Sequence, residues 1–467
     1  MTYDIAIVGY GPTGATLANL LGLQGFHVAV LEREPEPLPL PRAVHFDGEV
    51  MRIFETAGVA GRLLPHLRPS GGMRYVNRQG QVMIERKPAG AIGAHGWADN
   101  YLFHQPHLEQ VLREGAARFP NVDVFLSREV TALDEDEESV EIRADGRTLR
   151  ARWVVGCDGA RSIVRQAIGG AHDNLGLHQP WLVVDVLLER DVDLPPQTVQ
   201  YCDPARPVTF VKVTGQRRRW EIMLMPGDDP ASIARPESMW RLLSPWIRPG
   251  DARIERSALY TFHSLIARRW RKGRLFIAGD AAHQTPPFLG QGMCAGIRDA
   301  ANLAWKFAWK SARRDLLDTY QSERAPHVRV FVDTAVRLGN IIQTTDPQVA
   351  AERDRRFAQG GKEEMVNLSP PLGPGFHDGG GEIFPQPVLP DGRRLDAAIG
   401  GYRFAVLSPW KSNGVRAASF PALPIQGDEA IVLRPDRYVY GRAKSPEQLQ
   451  HLLGGLPHES RAAQPHH

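Results

Sequence analysis

Three glycines near the start of the chain have a spacing that could bind a diphosphate. Gly9, Gly11 and Gly14 form a G-x-G-x-x-G motif, which follows an apolar run at residues 4–8 and precedes a helical pattern. The first glycine makes a tight turn, the second lets a pyrophosphate approach the backbone, and the third lets the helix pack on the strand. Glu32 ends the next apolar run, where its carboxylate can accept hydrogen bonds from a ribose. The motif predicts a dinucleotide site without separating NAD from FAD.

A second group of candidate residues lies in the other half of the chain. Asp280 follows the buried-strand pattern at residues 274–278, and ligands of open α/β sheets collect at such strand ends. The Gly290 and Gly292 loop then opens a long helical stretch, whose free N–H groups could stabilise negative charge on a reduced flavin. A ribityl-binding carboxylate is our interpretation of Asp280; the alternative is a helix N-cap.

These motifs, together with a third one, resemble those of a known enzyme family. The third motif is G-C-D-G-A-R-S-I-V-R at residues 156–165. Over roughly residues 3–345 the chain resembles the FAD-dependent aromatic hydroxylases, the class A flavoprotein monooxygenases with the para-hydroxybenzoate hydroxylase fold. Further stretches resemble the 3-(3-hydroxyphenyl)propionate hydroxylases among them: P-R-A-V-H-F-D at 41–47, Q-P at 105–106, Y-C-D-P-A-R-P at 201–207, M-L-M-P-G at 223–227 and L-D-T-Y-Q-S-E-R at 317–324.

The resemblance implies FAD as cofactor and NADH or NADPH as co-substrate. In the family the Asp-Gly pair contacts both FAD and the nicotinamide coenzyme, so the coenzyme is expected near Asp158 and Arg165. The chain has no second G-x-G-x-x-G, which agrees with a family that lacks a separate coenzyme domain. The predicted cofactor-binding residues are Gly9, Gly11, Gly14, Glu32, Arg33, Arg42, Gln105, Asp158, Asp280, Gly290, Gly292 and Met293.

The resemblance also implies a reaction, in which O2 supplies an oxygen atom to a phenolic ring. The expected substrate is a 3-(3-hydroxyphenyl)propionate-like acid, hydroxylated ortho to its hydroxyl group. The phenol needs a group that draws off its proton. Tyr260 and His263 are the candidates, where the last strand of the substrate domain returns to the flavin, although either could be a packed strand residue. Pro286, at the start of the loop that should line the isoalloxazine, completes the predicted catalytic set. An arginine should bind the carboxylate, but the sequence offers too many to choose one.

Three alternatives to this reaction remain open. The substrate could be another phenolic or polycyclic compound on the same fold, since a fold does not fix its substrate. The chain could be a non-catalytic FAD-binding protein. It could also be an NAD-dependent dehydrogenase that uses only the motif from Gly9 to Gly14, in which case the Asp280 motif has no role.

The order of elements predicts a mixed α/β fold with three parts. These are a Rossmann-like FAD-binding domain (residues 1–70, 101–178 and 271–345), a β-sheet substrate domain (71–100 and 179–270) and a small thioredoxin-like C-terminal appendage (389–467) with a disordered tail. A helix and a Gly/Pro-rich linker at 346–388 should connect the FAD-binding domain to this appendage.

Composition narrows the class of protein further. The chain has 467 residues, of which 42% are hydrophobic, and 56 basic against 53 acidic residues give a net charge of +3. This balance does not favour nucleic-acid binding. We find no apolar run long enough for a membrane span. Three scattered cysteines do not form a disulfide or metal pattern. We therefore expect a cytoplasmic enzyme without a metal, with a small aromatic substrate and O2 as partners, and a homodimer as one option.

Overall fold

The computed structural model describes residues 2–37, 42–87, 92–309, 315–361, 368–389, 391–410, 422–424 and 427–456. The predicted disordered tail at 462–467, part of the predicted linker (362–367) and Pro41 of the family motif lie outside these residues. The predicted mixed α/β class is confirmed, with two large sheets, two smaller ones and helices packed between them.

The first large sheet contains the strands that precede the three sequence motifs. Its main strands are, in spatial order, Arg271–Lys272, Leu275–Ile277, Arg147–Gly156, Thr2–Val8, Val28–Leu31 and Val122–Phe125. Val130–Glu135 and Val140–Ala144 extend the sheet as a hairpin from Arg147–Gly156. Thr2–Val8 runs parallel to Arg147–Gly156, which runs parallel to Leu275–Ile277. The carboxyl ends of these three strands therefore meet at one edge, which brings the three motifs together.

Helices cover this sheet and begin or pass close to its motif-bearing edge. They include Pro12–Leu23, Gln105–Ala116, Gly292–Trp309 and Thr319–Ile342. The predicted helix at about 292–311 begins at Gly292 and is described as far as Trp309. It packs closely on Pro12–Leu23 because Gly296 has no side chain; a Cβ there would overlap the Thr13 hydroxyl.

The second large sheet is mainly antiparallel. Its order is His283–Gln284, Ala252–Ala267, His172–Leu188, Arg217–Met223, Val208–Lys212, Thr198–Tyr201, Met73–Val76 and Val82–Arg86. The long strand His172–Leu188 starts within the range predicted for the FAD-binding domain and continues past residue 178. One face packs on the short helices Pro230–Ile233 and Pro236–Leu243 through a core that includes Trp220, Ile222 and Leu243.

The C-terminal unit is built on a four-stranded sheet. Its strands lie in the order Ala422–Pro424, Ala405–Ser408, Ala430–Leu433 and Val439–Ala443, with helices Leu395–Ile399 and Pro446–Gly454. The predicted strands near 404–407 and 430–433 and the predicted helix at 446–454 are confirmed. Phe404 of this unit packs edge-on against Trp305 and Trp309 of the helix Gly292–Trp309. The unit is therefore packed against the part of the fold that carries the glycine loop.

The remaining elements connect these parts. A small sheet consists of His45–Asp47, Asn100–Leu102 and Arg68–Pro69, and the other helices are Gly48–Thr56, Ala60–Leu63, Ile163–Ala167 and Pro347–Ala358. None of the helices described is both long and apolar enough to cross a membrane. In the described ranges, no group of three or more His, Cys, Asp or Glu side chains could hold a metal ion. Cys157, Cys202 and Cys294 are free thiols.

Candidate cofactor and active site

The N-terminal glycine motif spans the turn between the strand Thr2–Val8 and the helix Pro12–Leu23 and the start of that helix. Gly9 has a φ of +98°, and a Cβ there would lie 2.5 Å from the carbonyl oxygen of Cys157. A Cβ at Gly14 would overlap the backbone oxygen of Gly9, so helix and turn approach closely. At Gly11, by contrast, a Cβ would meet no described atom within 4 Å. The backbone of Gly11 is therefore open on the side from which a diphosphate could approach.

This turn borders a groove of about 220 Å³, which we call the nucleotide groove. Several of the predicted cofactor-binding residues line it: Gly9, Gly11, Glu32, Arg33, Arg42, Gln105 and Asp158. Glu32 is held at its rim, because Oε2 accepts from the Tyr10 N–H at 2.6 Å and Oε1 from the Glu34 N–H at 3.0 Å. The groove thus combines an anion-binding turn with a fixed carboxylate, as a dinucleotide requires.

Gln105 fixes the segment that contains Arg42. Its Oε1 accepts hydrogen bonds from the backbone N–H groups of Arg42 and Ala43, both at 2.7 Å. Its Nε2 donates to Glu109 at 2.7 Å. Both ends of the Gln105 amide are therefore bound within the protein, so the structure gives this residue a positioning role beside its predicted contact with the cofactor.

Asp158 and Arg165 join two of the motif loops. Asp158 Oδ2 accepts from the N–H groups of Ile163 at 2.8 Å and Val164 at 3.3 Å, and burial raises the pKa of Asp158. Its buried Oδ1 has no hydrogen-bond partner within the described part of the chain. Arg165 donates to the carbonyl oxygens of Ala160 at 2.6 Å and Ala281 at 3.0 Å. Arg165 thereby ties the Asp-Gly loop to the turn that carries Asp280.

The Arg165→Ala variant tests the predicted coenzyme site. We expect slower reduction of the bound flavin by NADH or NADPH, because the loop where the coenzyme is expected loses its link to the Asp280 turn. The amount of hydroxylated product formed per coenzyme oxidised should stay constant. Stopped-flow absorbance measures the reduction, with Arg150→Ala as the control, since Arg150 is exposed, pairs with Glu141 and does not line the nucleotide groove. Wild-type reduction kinetics in Arg165→Ala would remove this residue from the coenzyme site.

Asp280 lies in the turn Gly279–Ala281, directly after the strand Leu275–Ile277. Within the described ranges its carboxylate caps no helix and accepts no hydrogen bond; instead it is exposed and lines a second cavity. This arrangement argues against the N-cap alternative and leaves Asp280 available to a ligand.

Replacing Asp280 by alanine should weaken FAD binding. A hydrogen bond to a charged group contributes about 1.5–3 kcal/mol, so the dissociation constant for FAD should rise by roughly 10- to 150-fold. Flavin fluorescence during titration of the apoprotein measures this constant, with Asp318→Ala as a surface control that pairs with Arg271. Unchanged affinity for FAD would show that Asp280 does not contact the cofactor.

The second cavity, called here the central cavity, lies between the glycine loop and the second large sheet and has a volume of about 260 Å³. On the loop side it is lined by Arg42, His45, Asp280, Gly290, Gly292 and Met293. On the sheet side its lining includes Arg86, Val183, Arg219, Glu221, Tyr260 and Phe262. Arg42 borders both this cavity and the nucleotide groove. The predicted cofactor-binding residues therefore lie along two adjoining cavities, except Gly14, which packs behind the turn.

The structure separates the three predicted catalytic residues. Tyr260 lines the central cavity, and so does Phe262, two residues further along the strand. Side chains alternate along a strand, so His263 points to the other face, where its Nδ1 lies 3.1 Å from Nδ1 of His178. Pro286 is buried beside the cavity, and the neighbouring Pro287 lines it instead. Of the three, only Tyr260 is among the described lining residues.

A charged cluster behind Tyr260 was not predicted from the sequence. Asp185 accepts hydrogen bonds from Arg219 at 2.7 and 3.0 Å and from Arg256 at 3.3 Å. Arg256 in turn donates to the Tyr260 hydroxyl. Glu221 lines the cavity with its Oε1 3.8 Å from Arg219, and burial raises the pKa of Glu221. In the sequence, the feature that could have indicated this cluster is the alternation of charged Arg219 and Glu221 with apolar Trp220 in one strand.

These features define a class of protein. The open face at Gly11, the unpartnered oxygen of Asp158 and the free carboxylate of Asp280 all border one continuous pair of cavities. The residues present therefore fit a dinucleotide whose diphosphate lies in the nucleotide groove and whose ring system reaches the central cavity. A dinucleotide-binding fold with a polar cluster facing the ring end is typical of a flavoenzyme.

Comparison with known proteins identifies the family. Residues 2–335 match the FAD binding domain family. The chain is 41% identical to a probable NADH-specific resorcinol 4-hydroxylase of Rhodococcus jostii (strain RHA1), over 97% of this chain and 94% of the relative. It is 37% identical to 3-(3-hydroxy-phenyl)propionate/3-hydroxycinnamic acid hydroxylase 2 of Burkholderia vietnamiensis (strain G4 / LMG 22486), over 88% of this chain and 78% of the relative. The chain belongs to this family and is an FAD-dependent aromatic hydroxylase.

Solved structures agree with this fold. The flavin-dependent monooxygenase PieE, in complex with FAD and substrate, superposes with a TM-score of 0.83 at 21% identity, over 97% of this chain and 98% of PieE. The p-nitrophenol 4-monooxygenase PnpA of Pseudomonas putida DLL-E4 gives a TM-score of 0.71 at 27% identity, over 78% of this chain and 94% of PnpA. These superpositions confirm the predicted fold. The family match and the similar hydroxylases confirm the predicted enzyme class and FAD as cofactor.

Proposed function

We propose that the protein uses NADH and O2 to hydroxylate a phenol with a meta substituent, at the carbon ortho to its hydroxyl group. The substrate we propose is 3-(3-hydroxyphenyl)propionate or a closely similar acid. The observation that carries this proposal is the position of Tyr260 and Glu221 at a cavity that also borders the glycine loop, with Arg256 donating to the Tyr260 hydroxyl from behind. The hydroxylases named above act on meta-substituted phenols according to their names, which supports the same substrate class here.

The residues of the central cavity can activate a phenol. A phenolate pushes electron density to its ortho and para carbons, so removal of the phenol proton favours oxygen transfer there. Glu221, whose pKa is raised by burial, is the proposed proton acceptor, since a base is most effective when its pKa approaches the working pH. Tyr260 accepts a hydrogen bond from Arg256 and so keeps its own proton available for the phenolate oxygen. FAD, when bound, supplies the electron transfer from the coenzyme and the reaction with O2.

Apolar side chains of the same cavity would exclude water. Met73, Val183 and Leu289 line it beside Phe262, and Phe262 packs at 5.8 Å between ring centroids against buried Trp181. Exclusion of water protects a reactive oxygen species from unproductive decay to H2O2. The cavity is thus suited to coupling coenzyme oxidation to hydroxylation.

Product analysis tests the proposed function. The FAD-loaded protein is incubated with 3-(3-hydroxyphenyl)propionate and either NADH or NADPH, and coenzyme, O2 and product are measured together. We expect faster oxidation of NADH than of NADPH, and a 2,3-dihydroxy product in amounts close to the NADH consumed. Oxidation that yields only H2O2, or that the phenol does not stimulate, would contradict this substrate.

Resorcinol is the second candidate substrate, because the named resorcinol 4-hydroxylase is similar over nearly the whole chain. The same assay with resorcinol separates the two candidates through their values of kcat/KM. A cytoplasmic location and a homodimer, both expected from the sequence, stay predictions.

A further inference from the structure

Arg86 is placed where it could contact a substrate. It ends the edge strand Val82–Arg86 of the second large sheet, in register with Met73, and lines the central cavity. It also borders an adjoining polar cavity of about 210 Å³. Its side chain is half-buried, and burial lowers the pKa of Arg86.

The guanidinium of Arg86 lacks an acceptor within the described part of the chain. Among the residues that the structure describes, none accepts a hydrogen bond from it or forms an ion pair with it. Asp47 and Asp99 attract it from a greater distance, but Asp47 is already bound by Arg298. A partly desolvated charge without an acceptor is unfavourable unless a ligand provides one.

Two other arginines of this region already have an acceptor. Arg219 is bound by Asp185 at 2.7 Å, and Arg256 lies 3.3 Å from the same carboxylate. Arg42 also lines the central cavity, but it borders the nucleotide groove as well and belongs to the predicted cofactor site. Arg86 is therefore the lining arginine on the sheet side that offers its donors to an added anion.

We infer that Arg86 is the anion subsite of the central cavity and binds the carboxylate of an aryl-alkanoic acid substrate. This inference rests on the proposed function and assigns its substrate class. A guanidinium matches a carboxylate with two parallel N–H···O hydrogen bonds, which fix orientation as well as affinity. Arg86 and Tyr260 both line the central cavity, so the proposed anion site and the phenol site belong to one cavity.

The test compares an acid with its neutral isostere. Wild type, Arg86→Met and Arg86→Lys are assayed with 3-(3-hydroxyphenyl)propionate, its primary amide and resorcinol. Arg86→Met should raise KM for the acid by about 10- to 100-fold, the range expected for loss of a charge-assisted hydrogen bond. KM for the amide and for resorcinol should change by less than about twofold, and Arg86→Lys should restore part of the affinity for the acid.

Arg74→Met is the matched control. Arg74 lies on the same hairpin, but it is exposed and pairs with Glu85 at 2.6 Å. This variant should leave KM for both the acid and the amide unchanged. In Arg86→Met, an equal rise in KM for the acid and the amide, or an unchanged KM for the acid, would overturn the inference. A variant with lower FAD content or lower thermal stability that still prefers the acid as wild type does would also overturn it.

A binding experiment keeps the inference separate from the proposed reaction. Perturbation of the flavin absorbance measures the Kd of 3-phenylpropionate and of its amide, neither of which carries the phenol. Wild type should bind the acid at least tenfold more tightly than the amide, and Arg86→Met should lose this preference, even if no phenol is hydroxylated. A wild-type protein without preference for the acid would overturn the anion subsite while leaving hydroxylation of neutral phenols intact.

Discussion

Replacing Arg434 by methionine should lower the free energy of unfolding by about 3–5 kcal/mol, the cost of leaving a buried charge without its partner. Arg434 is fully buried and binds Glu323 at 2.9 Å and Asp436 at 2.7 Å. In this variant Glu323 and Asp436 would remain buried but would lose the cation that they share. Urea unfolding followed by tryptophan fluorescence measures the difference.

The matched control is Arg442→Met in the same C-terminal sheet. Arg442 pairs with Glu382 at 2.8 Å on the surface, where such pairs contribute at most about 1 kcal/mol. A loss in Arg434→Met no larger than in Arg442→Met would show that the buried cluster does not carry stability.

The Arg434 cluster links the C-terminal unit to the cofactor side of the fold. Lys306, in the helix that begins at Gly292, contacts Glu323 at 2.8 Å, and burial lowers the pKa of Lys306 to about 8. Trp305 of the same helix donates to Asp436 at 2.9 Å. The C-terminal unit thus holds the helix whose first residues line the central cavity.

The second large effect concerns catalysis. Tyr260→Phe should lower the rate of product formation by about 100-fold or more, since removal of one hydrogen-bond donor to a charged oxygen in the transition state costs about 10²–10³-fold. The ring remains, so the cavity keeps its shape and the FAD content should not change. Rapid-quench measurement of product after reduction of the flavin separates this step from the reaction with coenzyme.

Tyr201→Phe is the control for this variant. Tyr201 belongs to the same sheet, but its ring packs on Trp246 at 5.2 Å between centroids, outside the lining of the central cavity. Removal of the Tyr201 hydroxyl should leave the rate of product formation within about twofold of wild type. Wild-type turnover in Tyr260→Phe would contradict a catalytic role and direct attention to Glu221.

The N-terminal motif and the strand ends could be predicted from the sequence because each depends on local order. A glycine pattern between strand and helix specifies the turn at Gly9, and parallel strands bring Asp158 and Asp280 to the same edge. The residue-level assignment of the active site was less accurate. A shift of one residue in a strand changes the face, which separates His263 from the cavity. Pro286 directly precedes the turn Pro287–Leu289, and Pro287 lines the cavity instead.

The sheet side of the cavity could not be predicted, because its residues are distant in sequence. Arg86, Glu221 and Tyr260 lie on three different strands of the second large sheet and line one cavity. In the sequence, Arg86 has no feature that separates it from other surface-type arginines. Its lack of an acceptor, like the pairing of Arg434 with Glu323, is a property of tertiary packing.

Labelling with ¹⁸O2 tests the central claim most directly. The FAD-loaded protein is supplied with NADH, 3-(3-hydroxyphenyl)propionate and ¹⁸O2 in ordinary water, and the product is analysed by mass spectrometry and NMR. An aromatic hydroxylase of this kind should insert a single ¹⁸O atom ortho to the phenol for each NADH oxidised. A product whose new oxygen comes from water, or NADH oxidation that leaves the ring unchanged and forms only H2O2, would contradict the account.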